Sequence, residues 1–243
     1  MILKKIDKYE EYLKLQREKT LNPEKRLRWI KNHDENNSKW IASFRNLFEF
    51  FYDIIAVHRD DEVCCIGART GDEVMALRQL GFYKALGTDL VPFRDIVVQD
   101  DIHDMKFEDD TIGLFYTNIF DHVLYPRKAI SEINRCLKKG GKAFFQLQIG
   151  AKLLSYGTCL LEHPDDFHDI IQEFDDLNII YSDVNFNRAD SMGPIYNADL
   201  NWNVIVEKGR SPTFYRAVHE EPGDRRMAEY QRQFILNLKR LDK

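Results

Sequence analysis

Val63-Cys64-Cys65-Ile66-Gly67-Ala68-Arg69-Thr70-Gly71-Asp72-Glu73 is the stretch that decides how this 243-residue chain is read. Four apolar residues run without alternation, as expected of a strand covered on both faces. A glycine-containing loop follows, and a helical pattern then occupies 73–80. A strand turning through glycines into a helix brings backbone N–H groups and the positive helix end towards an anionic or polar ligand group. The spacing Gly67-x-x-x-Gly71-Asp72 lacks the third glycine of the nicotinamide-dinucleotide fingerprint, which argues against that cofactor.

Downstream, short apolar runs alternate with helical patterns. Strands are expected at 85–88, 96–99, 112–118, 142–149, 177–186 and 202–207, with helices over 127–137 and 165–174. Strands separated by helices of this length form a parallel sheet with helices on both faces. The last two strands have no helix between them, so residues 188–201 read as a long hairpin loop and the final strand as antiparallel. Upstream, the first sixty residues read as three helices. Ile6, Tyr9, Leu13 and Gln16 share one face of the first; Asn22-Pro23 starts a second with Leu27 and Trp29. The third carries Trp40, Phe44, Leu47, Phe48, Phe51, Ile54 and Ile55 at three- and four-residue steps. That aromatic stripe is either ordinary core packing or the cover of a site. Near the end, Met227, Tyr230, Phe234, Leu238 and Leu241 share a helical face.

Composition limits the functional classes. With 44% apolar and 12% aromatic residues, the chain has enough apolar side chains for a sizeable core. Met1-Ile2-Leu3 runs directly into Lys4-Lys5, so a signal peptide is not expected. The stretch 143–161 is interrupted by Gln146, Gln148 and Lys152, so no membrane span is expected either. Cys64, Cys65, Cys136 and Cys159 have neither zinc nor disulfide-framework spacing, and suggest reduced thiols in the cytoplasm and no metal site. The net charge of −5 is uneven: 13 basic against 24 acidic residues leave −11 in 61–206, while each end carries +3. An acidic centre argues against a broad nucleic-acid surface.

Two further positions bear on chemistry. Asp89 closes the second strand, eighteen residues after Gly71. A carboxylate there can accept both hydroxyls of an adenosine ribose; it can equally be a turn residue or helix cap before Pro92. The acidic loop Gln99-Asp100-Asp101-Ile102-His103-Asp104 should leave the third strand at the same edge. There Asp101 could accept from an adenine amino group and Ile102 could pack on the ring; an acidic loop is otherwise simply solvated.

With these pieces in order, the chain resembles the class I S-adenosylmethionine-dependent methyltransferases, in particular the methyltransferase type 11-like group, over about residues 60–150. The resemblance rests on Ile66-Gly67-Ala68-Arg69-Thr70-Gly71, Gly87-Thr88-Asp89, Asp100-Asp101-Ile102 with Met105-Lys106-Phe107, Asn118-Ile119-Phe120-Asp121-His122, and Leu137-Lys138-Lys139-Gly140-Gly141-Lys142. It implies a doubly wound, Rossmann-like sheet of seven strands with a reversed last strand. It also implies S-adenosylmethionine as cofactor, held by Gly67, Ala68, Arg69, Gly71, Asp89, Leu90, Asp101, Ile102 and Asn118. Cys65 stands where the family usually has an acidic residue that helps hold the methionine amino group, and Arg69 replaces the middle glycine. Arg69 would point to solvent or meet the methionine carboxylate.

Methyl transfer needs chiefly alignment of acceptor and sulfonium; a hydroxyl acceptor also needs a base. His122 is the candidate base, with Asp121 beside it. Neighbours on an extended segment point opposite ways, so both face the acceptor only if the chain turns there. The expected organisation is a helical cap over 1–57, a cofactor domain over 58–210 and a C-terminal loop and helix over 211–243. The expected acceptor is a small molecule or a glycan hydroxyl, with a homodimer through the C-terminal helix as the partner expectation. Two rivals stand beside it: a non-catalytic protein using the fold for binding or assembly, and a methyltransferase acting on protein or RNA.

Overall fold

A computed structural model describes residues 1–148, 153, 156–186 and 200–209. The loop expected at 188–201 falls almost wholly outside them, and the C-terminal helix entirely so. The elements run β1 (Ile2–Leu3), α1 (Tyr9–Leu21), α2 (Pro23–Phe50), α3 (Tyr52–Ile55), β2 (Glu62–Ile66), α4 (Asp72–Gln79), β3 (Ala85–Asp89), β4 (Val97–Gln99) and β5 (Ile112–Thr117). A 3-10 turn (Phe120–His122) precedes α5 (Pro126–Cys136), β6 (Leu137–Gln148), β7 (Cys159–Leu160), α6 (Pro164–Gln172), β8 (Leu177–Phe186) and β9 (Leu200–Lys208).

Seven strands form one sheet in the order β4-β3-β2-β5-β6-β9-β8. Pairing is parallel from β4 to β6, and β9 runs antiparallel to both β6 and β8. The expected Rossmann-like sheet with a reversed final strand is what the chain forms. The central strand β5 is buried along its whole length, which is why its sequence shows no alternation. Apolar side chains fill both faces of the sheet. Phe115, Phe145, Phe167 and Trp202 lie in one cluster, and Phe48, Phe51, Tyr116 and Phe144 in the other.

Three local expectations change. The second and third helices are one, α2, because the polar run Lys31–Ser38 between them contains neither glycine nor proline to break it. On α1 the buried face is Tyr12, Gln16 and Thr20, one step round from the Leu13 expected. Strand β6 begins at Leu137, and the glycine turn before it survives as a register shift between Ile112 and Leu114 of β5. The aromatic stripe is core: Phe44, Phe48, Phe51 and Ile55 are buried in the cluster that holds Ala76 and Leu77 of α4.

A two-stranded ribbon, β1 with β7, lies outside the main sheet. It is extended by the Lys4 N–H donating to the Thr158 carbonyl (2.8 Å), and Gln16 Nε2 donates to the Tyr156 carbonyl (2.9 Å). The start of the chain is thereby tied to the segment before α6.

Candidate functional site

Strand register gathers the candidates. Ile66 pairs with Thr88 on one side and Thr117 on the other, so Gly67, Asp89 and Asn118 leave the sheet together at its carboxyl edge. Asp89 pairs in turn with Gln99, which delivers Asp100 and Asp101 to the same edge. Strand order reverses between β2 and β5, and open α/β sheets bind ligands at such a switch point.

The glycine loop is held down by its own backbone. The N–H groups of Gly67 and Ala68 both donate to the Thr88 carbonyl, at 2.7 and 3.0 Å, and the Gly71 N–H donates to the Ala68 carbonyl at 2.6 Å. Gly67 has φ +79°, and a Cβ there would lie 2.5 Å from Cγ2 of Ile119. Gly71, at φ +75°, is the residue from which α4 starts. Both positions require glycine. Arg69 stands between them at φ +29°, in the left-handed region where a side chain costs on the order of 1–3 kcal/mol. Its Nε is 3.6 Å from Oδ2 of Asp89.

Asp89 is 9% exposed, and its Oδ1 accepts from the Val91 N–H at 2.8 Å. Leu90 and Asn118 are half-buried beside the loop ends, and Ile102 is buried in the larger apolar cluster. Asp101 is more heavily engaged than its sequence suggested. Its Oδ2 accepts from the Tyr9 hydroxyl at 2.5 Å, and its Oδ1 accepts from the His103 backbone N–H at 2.9 Å, with His103 Nδ1 also at 2.9 Å. Burial disfavours the Asp101 anion, but the bonds from His103 and Tyr9 outweigh it and hold the carboxyl below the usual range. Nε2 of His103 lies 3.2 Å from the Tyr125 N–H, which can only donate; Nε2 is the acceptor and Nδ1 carries the proton.

These contacts bring α1 over the carboxyl edge. Tyr9 stacks on Tyr125 with ring centroids 5.9 Å apart. Tyr12 is buried, and burial, with the nearby Asp101 and Asp89 charges, raises its hydroxyl pKa. Nothing in the sequence paired Tyr9 with Asp101, 92 residues away.

Asp121 and His122 do not lie on an extended segment. They sit in the 3-10 turn, both side chains 17% exposed, with His122 Nε2 3.6 Å from Asp121 Oδ2. The turn lets them share a direction that a strand would forbid. His122 Nδ1 lies 3.1 Å from the Tyr156 carbonyl. A carbonyl only accepts, so this nitrogen carries the proton and Nε2 keeps a lone pair.

Glu73, in the first turn of α4, was read from sequence only as part of a helix start. It is 7% exposed, and its Oε2 is buried without a hydrogen-bond partner. Burial raises its carboxyl pKa to about 8; its own backbone N–H and Arg69 act the other way, while Asp72 and Asp89 add to the rise. The available signal was a pair: Cys65 without charge in the strand, and an acid two residues after Gly71. Among the described residues, no group of three His, Cys, Asp or Glu side chains is placed to hold a metal ion.

The donor set fits an adenosyl amino-acid ligand. A loop whose glycine has no room for a Cβ, a carboxylate ending the neighbouring strand and a buried carboxylate oxygen without a partner meet at one edge. Such a set suits hydroxyls and a cation.

Comparison with known proteins agrees. Residues 64–145 match the family model described as a methyltransferase domain. No curated protein sequence matches the chain. Among solved structures, it resembles a chain of the complex formed by the Haloferax volcanii Trm112 methyltransferase activator: 16% identity, TM-score 0.53, 74% of this chain and 94% of that one. Geranyl diphosphate C-methyltransferase from Streptomyces coelicolor, solved with S-adenosyl-L-homocysteine, has TM-score 0.54 at 12% identity over 68% of this chain and 79% of that one. The 4+2 cyclase SpnF has the same TM-score and identity over 69% and 81%. Strand order and the reversed last strand give the chain the Rossmann-like fold of these structures, and its residues 64–145 are similar to the methyltransferase domain family.

Proposed function

We propose that this protein binds S-adenosylmethionine at the carboxyl edge of β2, β3 and β5 and transfers its methyl group to a hydroxyl of a small molecule or glycan. The observation that carries the reading is the register itself, which brings the glycine loop, Asp89 and Asn118 to one edge at the topological switch point. Gly67, Ala68 and Gly71 would line the cofactor, Asp89 would take the ribose hydroxyls, Leu90 and Ile102 would flank the adenine side, and Asn118 would lie towards the sulfonium. Bound there, the cofactor supplies an electrophilic methyl on a sulfonium.

The chain's own residues do the rest. Loop and strand ends fix one reactant in line with the other, which is the main requirement of methyl transfer. The lone pair of His122 Nε2 takes the acceptor's hydroxyl proton, and Asp121 at 3.6 Å favours the imidazolium so formed. Tyr9 and Tyr12 on α1 exclude water from the edge, making the 1–57 segment a cap. The free, buried cysteines are consistent with a reducing, cytoplasmic setting, and no helix among the described residues is long and apolar enough to cross a membrane.

A second reading is favoured by one observation: Arg69 lies beside Asp89 and Tyr9 is bonded to Asp101, so two cofactor positions already have partners within the chain. In that reading the fold binds a ligand without methylating. The structural resemblance to a cyclase illustrates that this fold alone does not dictate the reaction. Titration calorimetry with S-adenosylhomocysteine separates the two. Asp89→Ala should weaken binding about tenfold or more, through loss of charge-assisted hydrogen bonds. Unaltered affinity in that variant refutes the ribose assignment, and absent binding to the native protein refutes the cofactor.

A further inference from the structure

Among the buried acids that the mechanism above leaves unused is Glu73, in the first turn of α4. Glu73 is less exposed than Asp89, yet its Oε2 has no hydrogen-bond donor. A buried carboxylate oxygen in that condition is costly, and native structures rarely keep one without a purpose. Its surroundings are the rest of the ligand edge. Asp72 precedes it, while Asp89, Arg69 and the Cys65 thiol are all close enough to interact with it electrostatically. Cys65 is fully buried on β2 and stays a neutral thiol, because burial first and the Glu73 charge second push its pKa well up. At this edge the acid stands on the helix that follows β2, and β2 itself presents a neutral thiol.

We infer that Glu73 accepts the primary ammonium of the ligand's aminoacyl arm, supplying from α4 the anionic contact that Cys65 on β2 lacks. This rests on the proposed adenosylmethionine reading and adds to it a residue and a charge. Position supports it: Glu73 lies two residues beyond Gly71, on the first turn of the helix that the glycine loop opens. The chemistry supports it too. Oε2 needs a donor, a primary ammonium offers three, and the acidic neighbours Asp72 and Asp89 favour a cation over a neutral or anionic group. The Arg69 guanidinium is the positive group facing the same carboxyl, and it leaves Oε2 without a hydrogen bond.

The raised carboxyl pKa, about 8, gives the inference a second readout. Near pH 7 the free protein holds Glu73 largely protonated, and an ammonium docking on Oε2 must displace that proton. Binding should release close to one proton.

The experiment is calorimetry at pH 7 with two probes, S-adenosylhomocysteine and 5′-methylthioadenosine, the second lacking the aminoacyl arm. Each is titrated into the native protein and into Glu73→Gln, in two buffers of different ionisation enthalpy. Glu73→Gln should weaken S-adenosylhomocysteine about tenfold to a hundredfold and leave 5′-methylthioadenosine within about twofold. Proton release should accompany the first probe on the native protein and vanish in the variant. Equal weakening of both probes makes Glu73 a structural residue and overturns the inference, as does weakening of neither. If Glu73→Gln fails to fold, the native protein alone decides, since equal proton release with both probes also overturns it. A native protein that binds neither probe overturns the cofactor reading itself, a result distinct from the others.

Discussion

Replacing Gly67 by alanine tests the site's architecture without any ligand. The added Cβ would lie 2.5, 2.8 and 3.0 Å from Cγ2, Cγ1 and Cδ1 of Ile119, all inside contact distance. Relief by moving the glycine backbone is opposed by the two bonds that Gly67 and Ala68 give to Thr88. Overpacking of this kind costs about 1–3 kcal/mol, and holding alanine at φ +79° adds about 1–2 kcal/mol. The expected loss is about 2–5 kcal/mol, read from the midpoint of urea unfolding at constant slope. Ile119→Ala removes all three clashing atoms and, at a half-buried side chain, costs about 1–2 kcal/mol alone. The double variant should therefore recover the overpacking part, about 1–3 kcal/mol, and retain the backbone part. Additivity of the two single changes to within about 0.5 kcal/mol would refute the contact between loop and β5 end.

Other outcomes follow from the same geometry. Glu73 has a folded-state pKa above its unfolded value of 4.5, so its stability contribution is full below pH 4.5 and is lost as pH rises towards about 8. Glu73→Gln should match the native protein near pH 4.5 and exceed it at pH 8 by a few kcal/mol; parallel stability curves from pH 4.5 to 8 would contradict this. His122→Asn should reduce turnover about 10²–10⁴-fold once the acceptor is found, with cofactor affinity nearly intact; retained turnover would assign the proton to another group. Tyr9→Phe removes a charge-assisted bond to Asp101 and should speed amide exchange over α1 without altering that of β5; unchanged protection would mean that α1 is held by packing alone.

The legible part of this molecule is the part written in local patterns. Strands β2 and β5 appear as runs without apolar–polar alternation because both their faces are covered, and the loop at Gly67 and Gly71 shows itself through residues that positive φ demands. The reversed last strand follows from the missing helix between β8 and β9. Less legible was anything set by distant partners. Asp101 reads as an adenine contact or a solvated acid until Tyr9 arrives from α1, and His122 acquires its tautomer from a carbonyl 34 residues on. The buried face of α1 differs by one position from the expected one, since a tyrosine, a glutamine and a threonine make up that face and hydrophobicity alone does not select them. Glu73 was hidden for the opposite reason: acids are common in the first turn of helices, so its burial left no mark on the sequence.

The ribbon of β1 with β7 also has a temporal meaning. Leu3 pairs with Cys159, and Gln16 reaches the carbonyl of Tyr156, so the first elements made are completed only by segments made much later. During synthesis α1 emerges long before its docking surface. Closing a loop of this length costs entropy that local contacts cannot offset in advance. The sheet from β2 to β6 can assemble while α1 is held only through Tyr9, by Asp101 and Tyr125, and the contact of Gln16 with Tyr156 comes later. A nascent chain arrested before residue 156 would therefore hold its ligand edge under an α1 anchored by Tyr9 but not yet by Gln16 or the β1–β7 ribbon.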